Sequence, residues 1–538
     1  MVAAAPPPPP PLPKRRFFWQ PKPRPVPIPP KSEMPLPEEV AAMAAAVVAI
    51  LVSVFVRTKR RQRLPAMAPP KGPSFGEFVA AARDGTSIEA QASWAKQYGG
   101  IYAIKKDLAC VGDPKVAKEL VLTHAKMGSF TTRTAVGAAA TRDAVGRSVT
   151  GLVGNEWRWR KDAILREFHS SRLLADERRL FERIVRAGET MCARLEAAAE
   201  AETPACVDLL TTEAAVSVIL FAFFGRDLPF DPAALRHAAK TTMDFFLYRL
   251  GHSRLSLFLA SEGRQLLRAK RDAWKAMDAV LRPEVELMLK EKEGTRHPDR
   301  HPGSVLESLL KLPEFCRSGL DSIVAEARVF VLAGFETTAH ALSFSLGLLA
   351  RDRDLAAKVS QQAIDACATG LDRASLAATP FVKHVFMEAL RLYPLVPALG
   401  GQVTNSCVVT DKRGTAFGLA KGTQIIFHNL VLQRDPDFAG ASPDLCVPDR
   451  WDVPIKNQPF LFTFNLGPHA CPGKSLSLIE AHVFLLQVAA KFDLSFDASS
   501  SPKELAYQGN AILRPKDGMP LFVKNKDADD SAYFFGVF

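Results

Sequence analysis

The sequence has few cysteines, and they lack the spacing of a disulfide framework or a zinc site. Its 538 residues contain eight cysteines, none of them in a Cys-x-x-Cys pair or a closely spaced cluster. Small secreted domains carry cysteines at short intervals, and structural zinc sites use paired ones. The spacing therefore argues against both classes and is typical of a protein in a reducing compartment.

Positive charge is scarce outside the first 65 residues. That segment holds eleven lysines and arginines against three glutamates, so it carries +8 of the total net charge of +12. The remaining 473 residues carry only +4, which excludes the broad basic face of a nucleic-acid-binding protein. With 47% hydrophobic and 23% charged residues, the whole chain has the composition of a globular protein.

The N-terminal segment has no acidic residue before Glu33 and is rich in proline. Proline at this density prevents helix and sheet, so residues 1–39 are predicted to form a disordered basic arm. Residues 40–56 are uncharged and apolar, and this length is just sufficient for a transmembrane anchor. A buried or surface helix is the alternative interpretation of the same run.

A basic stop and a Pro-rich hinge follow in residues 57–75. Because the basic residues come directly after the apolar run, the positive-inside rule places the rest of the chain on the cytosolic side. Residues 76–525 are predicted to form a single folded domain, and residues 526–538 a separate tail.

No proline interrupts residues 320–351, so one long helix is predicted there. The run AGFETT (333–338) lies near its middle. Gly334 has no side chain, which lets a ligand approach the helix. The hydroxyl of Thr337 can bond to a bound oxygen species, and the carboxylate of Glu336 can relay protons. The alternative is a threonine that bonds back to a carbonyl of the preceding turn.

The run from Phe464 to Gly473, FNLGPHACPG, is the most informative in the chain. Cys471 lies in a Gly/Pro-rich loop, and a helical pattern runs from Pro472 to about Phe492, with Pro472 expected at the first helical position. A helix N-terminus favours a thiolate, which is a good axial ligand for haem iron. A buried structural cysteine is the alternative.

Three further motifs accompany this loop. They are AGFETT at 333–338, EALR at 388–391 and PDRW at 448–451. In this order, the four motifs resemble those of the cytochrome P450 family over roughly residues 70–525. The resemblance implies a mainly α fold with a small β-sheet region, in a single large catalytic domain behind an N-terminal membrane anchor.

The resemblance also implies roles for particular residues. Cys471 would bind the iron of haem b through its thiolate, while Glu336 and Thr337 would deliver protons. Other cofactor-binding residues would be Trp157, Lys161, His469, Phe464, Gly467 and Gly473. A buried structural ion cluster would consist of Glu388, Arg391 and Arg450.

The sequence departs from the family pattern where haem propionates are usually bound. Many members carry an arginine near Gly401, and this chain has none there. His469 and Lys161 occupy positions where arginine is usual. Two negative propionates need partners, so these departures motivate a non-catalytic haem-binding protein as one alternative.

The function implied by the resemblance is a monooxygenase of the EC 1.14 type, which hydroxylates an apolar small molecule with O2. No Gly-rich dinucleotide fingerprint follows a strand, so electrons would come from a separate NADPH-dependent reductase, or from ferredoxin in a plastid. A basic face with Arg158, Arg160 and Lys474 would dock that partner. The expected location is the endoplasmic reticulum membrane, with a plastid membrane as the alternative. A hydroperoxide-rearranging isomerase or lyase of the same fold is a second alternative activity.

Overall fold

Helices make up most of the chain that the structure describes. The computed structural model describes residues 68–83, 87–175, 179–292, 294, 297–453, 461–497, 502, 504–509 and 511–526. The α-helices are α1 (Phe75–Arg83), α2 (Ser87–Tyr98), α3 (Pro114–Lys118), α4 (Ala135–Val145), α5 (Gly154–Glu167), α6 (Ser170–Leu173), α7 (Leu180–Glu200), α8 (Val207–Phe224), α9 (Pro232–Gly251), α10 (Ser256–Leu259), α11 (Ser261–Glu291), α12 (Val305–Leu310), α13 (Pro313–Arg317), α14 (Leu320–Arg351), α15 (Arg353–Ala368), α16 (Arg373–Ala378), α17 (Pro380–Leu392), α18 (Asn429–Gln433), α19 (Pro436–Ala439) and α20 (Lys474–Lys491).

The strands are short and form small sheets. They are β1 (Ile101–Lys105), β2 (Leu108–Val111), β3 (Phe130–Thr131), β4 (Ala205–Cys206), β5 (Ala398–Val403), β6 (Cys407–Thr410), β7 (Ala416–Leu419), β8 (Gln424–His428), β9 (Phe492–Ser495), β10 (Tyr507–Gln508), β11 (Arg514–Pro515) and β12 (Pro520–Asn525). The largest sheet has the order β1-β2-β8-β5-β3. Only β2 and β8 pair in parallel within it, with Ala109 opposite Ile425. The predicted mainly α fold with a small β-sheet region is confirmed.

Two apolar helices, α8 and α14, form the centre of the helical core. Both are long and apolar enough to cross a membrane by composition, but 83% of α8 and 78% of the apolar part of α14 are buried inside the protein. A helix that is hydrophobic on all sides needs neighbours on all sides. These two helices therefore pack against each other and are core elements.

The predicted bounds of two helices can be compared with the structure. The long helix predicted over 320–351 has those bounds in α14. The predicted start of the helix after Cys471 was wrong by two residues. Pro472 and Gly473 form a turn, Gly473 is the N-cap, and α20 begins at Lys474.

The predicted arm (1–39), the anchor (40–56) and the hinge up to residue 67 lie outside the described residues. So does the predicted tail beyond Lys526. The described residues themselves belong to one compact unit, and its hydrophobic core is one large helical cluster with a separate smaller cluster at the five-stranded sheet.

Helix α20 carries a buried acid, Glu480, which is 1% exposed. Its Oε2 atom has no hydrogen-bond partner among the described residues, and burial raises the pKa of its carboxyl well above the ordinary value of 4.5. The folded protein therefore keeps this proton at pH values where the unfolded chain has released it. Stability from this group is present below pH 4.5 and decreases as the pH rises toward the folded-state pKa.

Replacing Glu480 by glutamine should remove this pH dependence. We expect Glu480→Gln to gain stability over the wild type between pH 5 and pH 8, because only the wild type must hold a proton or bury a carboxylate charge as the pH rises; each pKa unit corresponds to about 1.4 kcal/mol. Urea unfolding at both pH values measures the effect. Glu196→Gln, which changes an exposed acid on α7, is the control, and an equal pH dependence in wild type and Glu480→Gln would contradict the prediction.

Candidate functional site

One turn in the middle of α14 is less buried than the rest of the helix. Every residue from 322 to 349 is buried except Ala333, Gly334, Glu336 and Thr337. These four residues are within one turn of each other, and the helix on both sides is enclosed by the core. The protein therefore has an internal opening beside this turn, at the position predicted for oxygen activation.

The polar groups of the turn face this opening. The Thr337 hydroxyl donates a hydrogen bond to the carbonyl of Ala333 at 2.8 Å, which is the back-bonded arrangement considered from sequence. Gly334 has a different role from the one predicted. A Cβ on Gly334 would lie 2.4 Å from the side chain of Ile219, so this glycine permits close packing of α14 on α8 and does not open the helix to a ligand.

The Cys471 loop is held as a tight turn before α20. The Cys471 N–H donates a hydrogen bond to the carbonyl of Phe464 at 2.7 Å. Cys471 as a whole residue is exposed. Protein surrounds the sulfur, and this burial raises the pKa of the Cys471 thiol. The backbone N–H groups of Gly473 and Lys474 and the charge of Lys161 act in the opposite direction. These N–H groups point at the sulfur and would stabilise a thiolate once a metal replaces the proton.

A hydrogen bond joins the two halves of the predicted site. Thr338 Oγ1 donates to Ser477 Oγ at 3.2 Å. Thr338 follows Thr337 directly, and Ser477 lies on the first turn of α20, just after the Cys471 loop. The open turn of α14 and the accessible cysteine therefore belong to neighbouring surfaces.

Trp157, Lys161 and His469 come together, as the resemblance implies. The rings of Trp157 and His469 are 4.3 Å apart between centroids, and Lys161 Nζ donates to the carbonyl of Ala470. Helix α5 thus presents two side chains, one turn apart, to the loop that carries Cys471.

Arg133 also belongs to this group, and sequence reasoning missed it. Its guanidinium carbon lies 5.4 Å from the Trp157 ring centroid, and Nη1 donates to the carbonyls of Val149 at 3.0 Å and Leu152 at 3.3 Å. Arg133 lies in an irregular stretch rich in Gly, Ala and Thr, where no periodicity or motif distinguishes it. Only its position in the folded chain identifies it.

The three basic side chains are crowded and desolvated. Burial lowers the pKa of Lys161 to about 8, with nearby Cys471 acting against the shift. Burial, and then the charges of Arg133 and Lys161, lower the pKa of His469 to about 4. Burial lowers the pKa of Arg133 to about 10. An anion placed among them would reverse these costs.

Unused donors in the group indicate what that anion is. Trp157 Nε1, Arg133 Nε and His469 Nδ1 are buried and have no hydrogen-bond partner among the described residues. Buried polar groups in folded proteins are nearly always paired. Together with Cys471, which as a residue is exposed, these donors fit a haem whose propionates would lie between α5 and the Cys471 loop.

A second polar cluster lies behind the loop. Glu388 binds Arg391 at 2.8 Å and Arg450 at 3.0 Å, and the side chains of Glu388 and Arg391 are both fully buried. Trp451 Nε1 donates to Glu388 at 2.9 Å, and the Val447 N–H donates to it at 2.7 Å. The cluster therefore ties the end of α17 to the segment before the loop, which is the arrangement that the resemblance implies.

Three glycines, at positions 467, 473 and 401, differ in how closely their neighbours approach. A Cβ on Gly467, where φ is +63°, would lie 2.4 Å from the carbonyl oxygen of Val121, so this glycine serves a backbone contact. A Cβ on Gly473 would lie 3.8 Å from Cys471 Sγ, which is an ordinary distance. A Cβ on Gly401 would lie 2.2 Å from the ring of Phe130. The usual arginine therefore has no room at Gly401.

The predicted basic docking face needs one correction. Arg160 is fully buried, and its Nη1 pairs with Glu326 at 2.9 Å and donates to Ser322 at 3.1 Å. It ties α5 to α14 and is not available to a partner protein. Arg158 and Lys474 are exposed, and Lys474 also lies over the ring of the buried Phe464, at 5.7 Å.

Comparison with known proteins gives consistent results. A family model described as "Cytochrome P450" matches residues 67–522. Cytochrome P450 3A13 of Mus musculus is 32% identical over 214 residues, 38% of this chain and 40% of the relative. Cytochrome P450 4V2 of Homo sapiens is 28% identical over 218 residues, 39% of this chain and 40% of the relative. These alignments span about two fifths of the curated relatives' length.

A solved structure is similar over most of the chain. The crystal structure of a cytochrome P450 named CYP102L1 matches with a TM-score of 0.68, covering 86% of this chain and 100% of that one. The sequence identity is 16%, so this likeness concerns the fold alone.

The basic group should control how tightly haem is held. We expect Arg133→Gln and Lys161→Gln each to speed haem loss about 10- to 100-fold, because each removes a charge-assisted hydrogen bond. Haem transfer from the purified protein to a scavenging apoprotein measures the rate. The control is Arg158→Gln, an exposed change on the same helix as Lys161. Haem loss at the wild-type rate in both test variants would contradict this binding mode.

Proposed function

This chain belongs to the cytochrome P450 family, and we propose that it is a haem-thiolate monooxygenase that hydroxylates an apolar small molecule. The observation that carries the proposal is the combination of the open turn on α14 with an accessible cysteine beside unsatisfied basic donors. A cavity of this kind suits a flat ring with a metal centre and two carboxylates. The bound haem b supplies oxygen activation and two-electron oxidation.

The residues around the ring hold it in place. Cys471 would bind the iron through its thiolate, which the N–H groups of Gly473 and Lys474 would stabilise. Arg133, Lys161 and His469, with the indole N–H of Trp157, bind the propionates. Since Gly401 cannot carry the usual arginine, Arg133 supplies the strong guanidinium donor instead.

The residues on α14 handle protons and substrate. Thr337 and Glu336 lie at the opening, where a hydroxyl and a carboxylate within one turn can pass protons to oxygen. Ala333 adds an exposed methyl group to the same surface, which suits an apolar substrate.

Electrons would come from a separate NADPH-dependent reductase, or from ferredoxin in a plastid. Arg158 and Lys474 are exposed and would attract an acidic partner, whereas Arg160 has no part in that face. The proposed location is the endoplasmic reticulum membrane, with residues 40–56 as the anchor and the catalytic domain in the cytosol; a plastid membrane is the alternative.

The rival activities receive less support from the site. Enzymes that rearrange hydroperoxides typically lack the acid–threonine pair, which this chain keeps at its opening. The non-catalytic alternative was motivated by missing propionate arginines, and in this proposal Arg133 would take their place.

The assignment is tested by the spectrum of the reduced, CO-bound protein. We expect the red-shifted Soret band of a thiolate ligand in the wild type and its loss in Cys471→Ser, because a serine oxygen cannot provide thiolate ligation. Cys446→Ser, which changes a partly buried cysteine outside the loop, is the control. A normal thiolate band in Cys471→Ser would exclude this cysteine as the ligand. Turnover of a hydroperoxide without any reductase would favour the rearranging alternative.

The hydroxyl of Thr337 should couple oxygen use to product formation. With NADPH, a reductase and O2, Thr337→Ala should release at least about twofold more hydrogen peroxide per NADPH than the wild type, because proton delivery is impaired. Thr337→Ser keeps the hydroxyl and should behave like the wild type. Equal peroxide yields from Thr337→Ala and Thr337→Ser would count against a role for the hydroxyl.

A further inference from the structure

A buried histidine lies one turn beyond Glu336 on α14. His340 is 3% exposed, and its two ring nitrogens face two acids. Nδ1 is 2.6 Å from Oδ1 of Asp208 on α8, and Nε2 is 3.9 Å from Oε1 of Glu336. The ring therefore stands between a core aspartate and the acid at the opening.

Asp208 is built to hold this histidine. It is 1% exposed, and Ser343 donates to Oδ1 at 3.2 Å. Arg236 of α9, 34% exposed, lies 3.1 Å from Oδ2. Burial acts to raise the pKa of Asp208, but His340 and Arg236 outweigh it, so the net pKa is lowered. The aspartate is an anion whose charge is available to the ring.

The environment keeps the ring charged at neutral pH. Burial alone would lower the pKa of His340, but the contacts with Asp208 and Glu336 raise it to about 9. The charged groups that face the ring are Asp208 from α8 and Glu336 from its own helix, with Arg236 behind Asp208. His340 is therefore an imidazolium that faces the carboxylate of Glu336.

We infer that His340, held by Asp208, is a positioning residue that fixes the carboxylate of Glu336 at one side of the opening. The inference rests on the proposed function, since it assigns His340 a place in the same proton-handling site.

The charge of His340 can be measured independently of turnover. In the diamagnetic, CO-bound ferrous protein labelled with 15N-histidine, one imidazole signal should stay protonated up to about pH 9 and be absent from His340→Gln. Asp208→Asn should move the titration of that signal to pH 6.5 or below, the ordinary histidine value. A wild-type signal that titrates at or below 6.5 would overturn the inference.

The charge of His340 should also affect how much peroxide the enzyme releases. In the assay with NADPH, a reductase and O2, His340→Gln should release at least about twofold more peroxide per NADPH, as expected when a proton-transfer group is misplaced. His340→Lys, which keeps a cation, should restore the wild-type yield. The pH at which peroxide release rises should be about 9 in the wild type and should shift down in Asp208→Asn, because the imidazolium is present only below its pKa.

The controls separate a positioning role from a structural one. His482→Gln changes another buried histidine, bonded to Thr379 at 2.9 Å on α20, and should leave peroxide release unchanged. If His340→Gln and His340→Lys behave alike, or Asp208→Asn shows no shift with pH, the residue only packs α14 on α8 and the inference is wrong. Because the thiolate Soret band is recorded for every variant, a failed monooxygenase assignment is recognised separately by its absence.

Discussion

Helix α14 is buried along nearly its whole length, and between residues 322 and 349 a single turn is the exception. Close packing is the rule in protein cores, and here it holds on both sides of that turn. The side chains of Ala333, Glu336 and Thr337 border the gap, and other sides of the helix are packed. The Thr338–Ser477 hydrogen bond places the first turn of α20 against the same helix, and Gly334 lets α8 approach its opposite side.

The second constraint is electrostatic. Arg133, Lys161 and His469 are crowded into a desolvated place, and burial lowers the pKa of all three. Such a group is costly without an anion. The protein thus carries a built-in preference for a bound dianion, which we propose to be the haem propionates. In contrast, Arg391 and Arg450 share the carboxylate of Glu388, and Arg391 also donates to the backbone carbonyls of Gln433 and Leu445.

Several departures from the sequence-based expectation have one physical reason. Sequence shows which side chains are present, but not which space is already filled. Gly334 faces Ile219, Gly401 faces Phe130 and Gly467 faces a backbone carbonyl, and none of these contacts can be read from the neighbouring residues. Arg160 lies in a basic run of the kind found on surface helices. In the fold it pairs with the buried acid Glu326, 166 residues away in the sequence. Arg133 was missed because its role depends on a distant tryptophan.

The amino-acid sequence by itself determined the elements and the local chemistry. The absence of proline over residues 320–351 predicted helix α14. The spacing of the EALR run places Glu388 and Arg391 on one helix face. A Gly/Pro-rich loop before a helical pattern identified Cys471. These features depend on neighbours within a few residues, which periodicity and turn chemistry can read. Only the tertiary structure decided that Arg133 joins Lys161 and His469, that Arg160 is internal, and that His340 lies between Asp208 and Glu336. Those contacts join residues far apart in the chain, and their energies depend on burial that exists only once the core has formed.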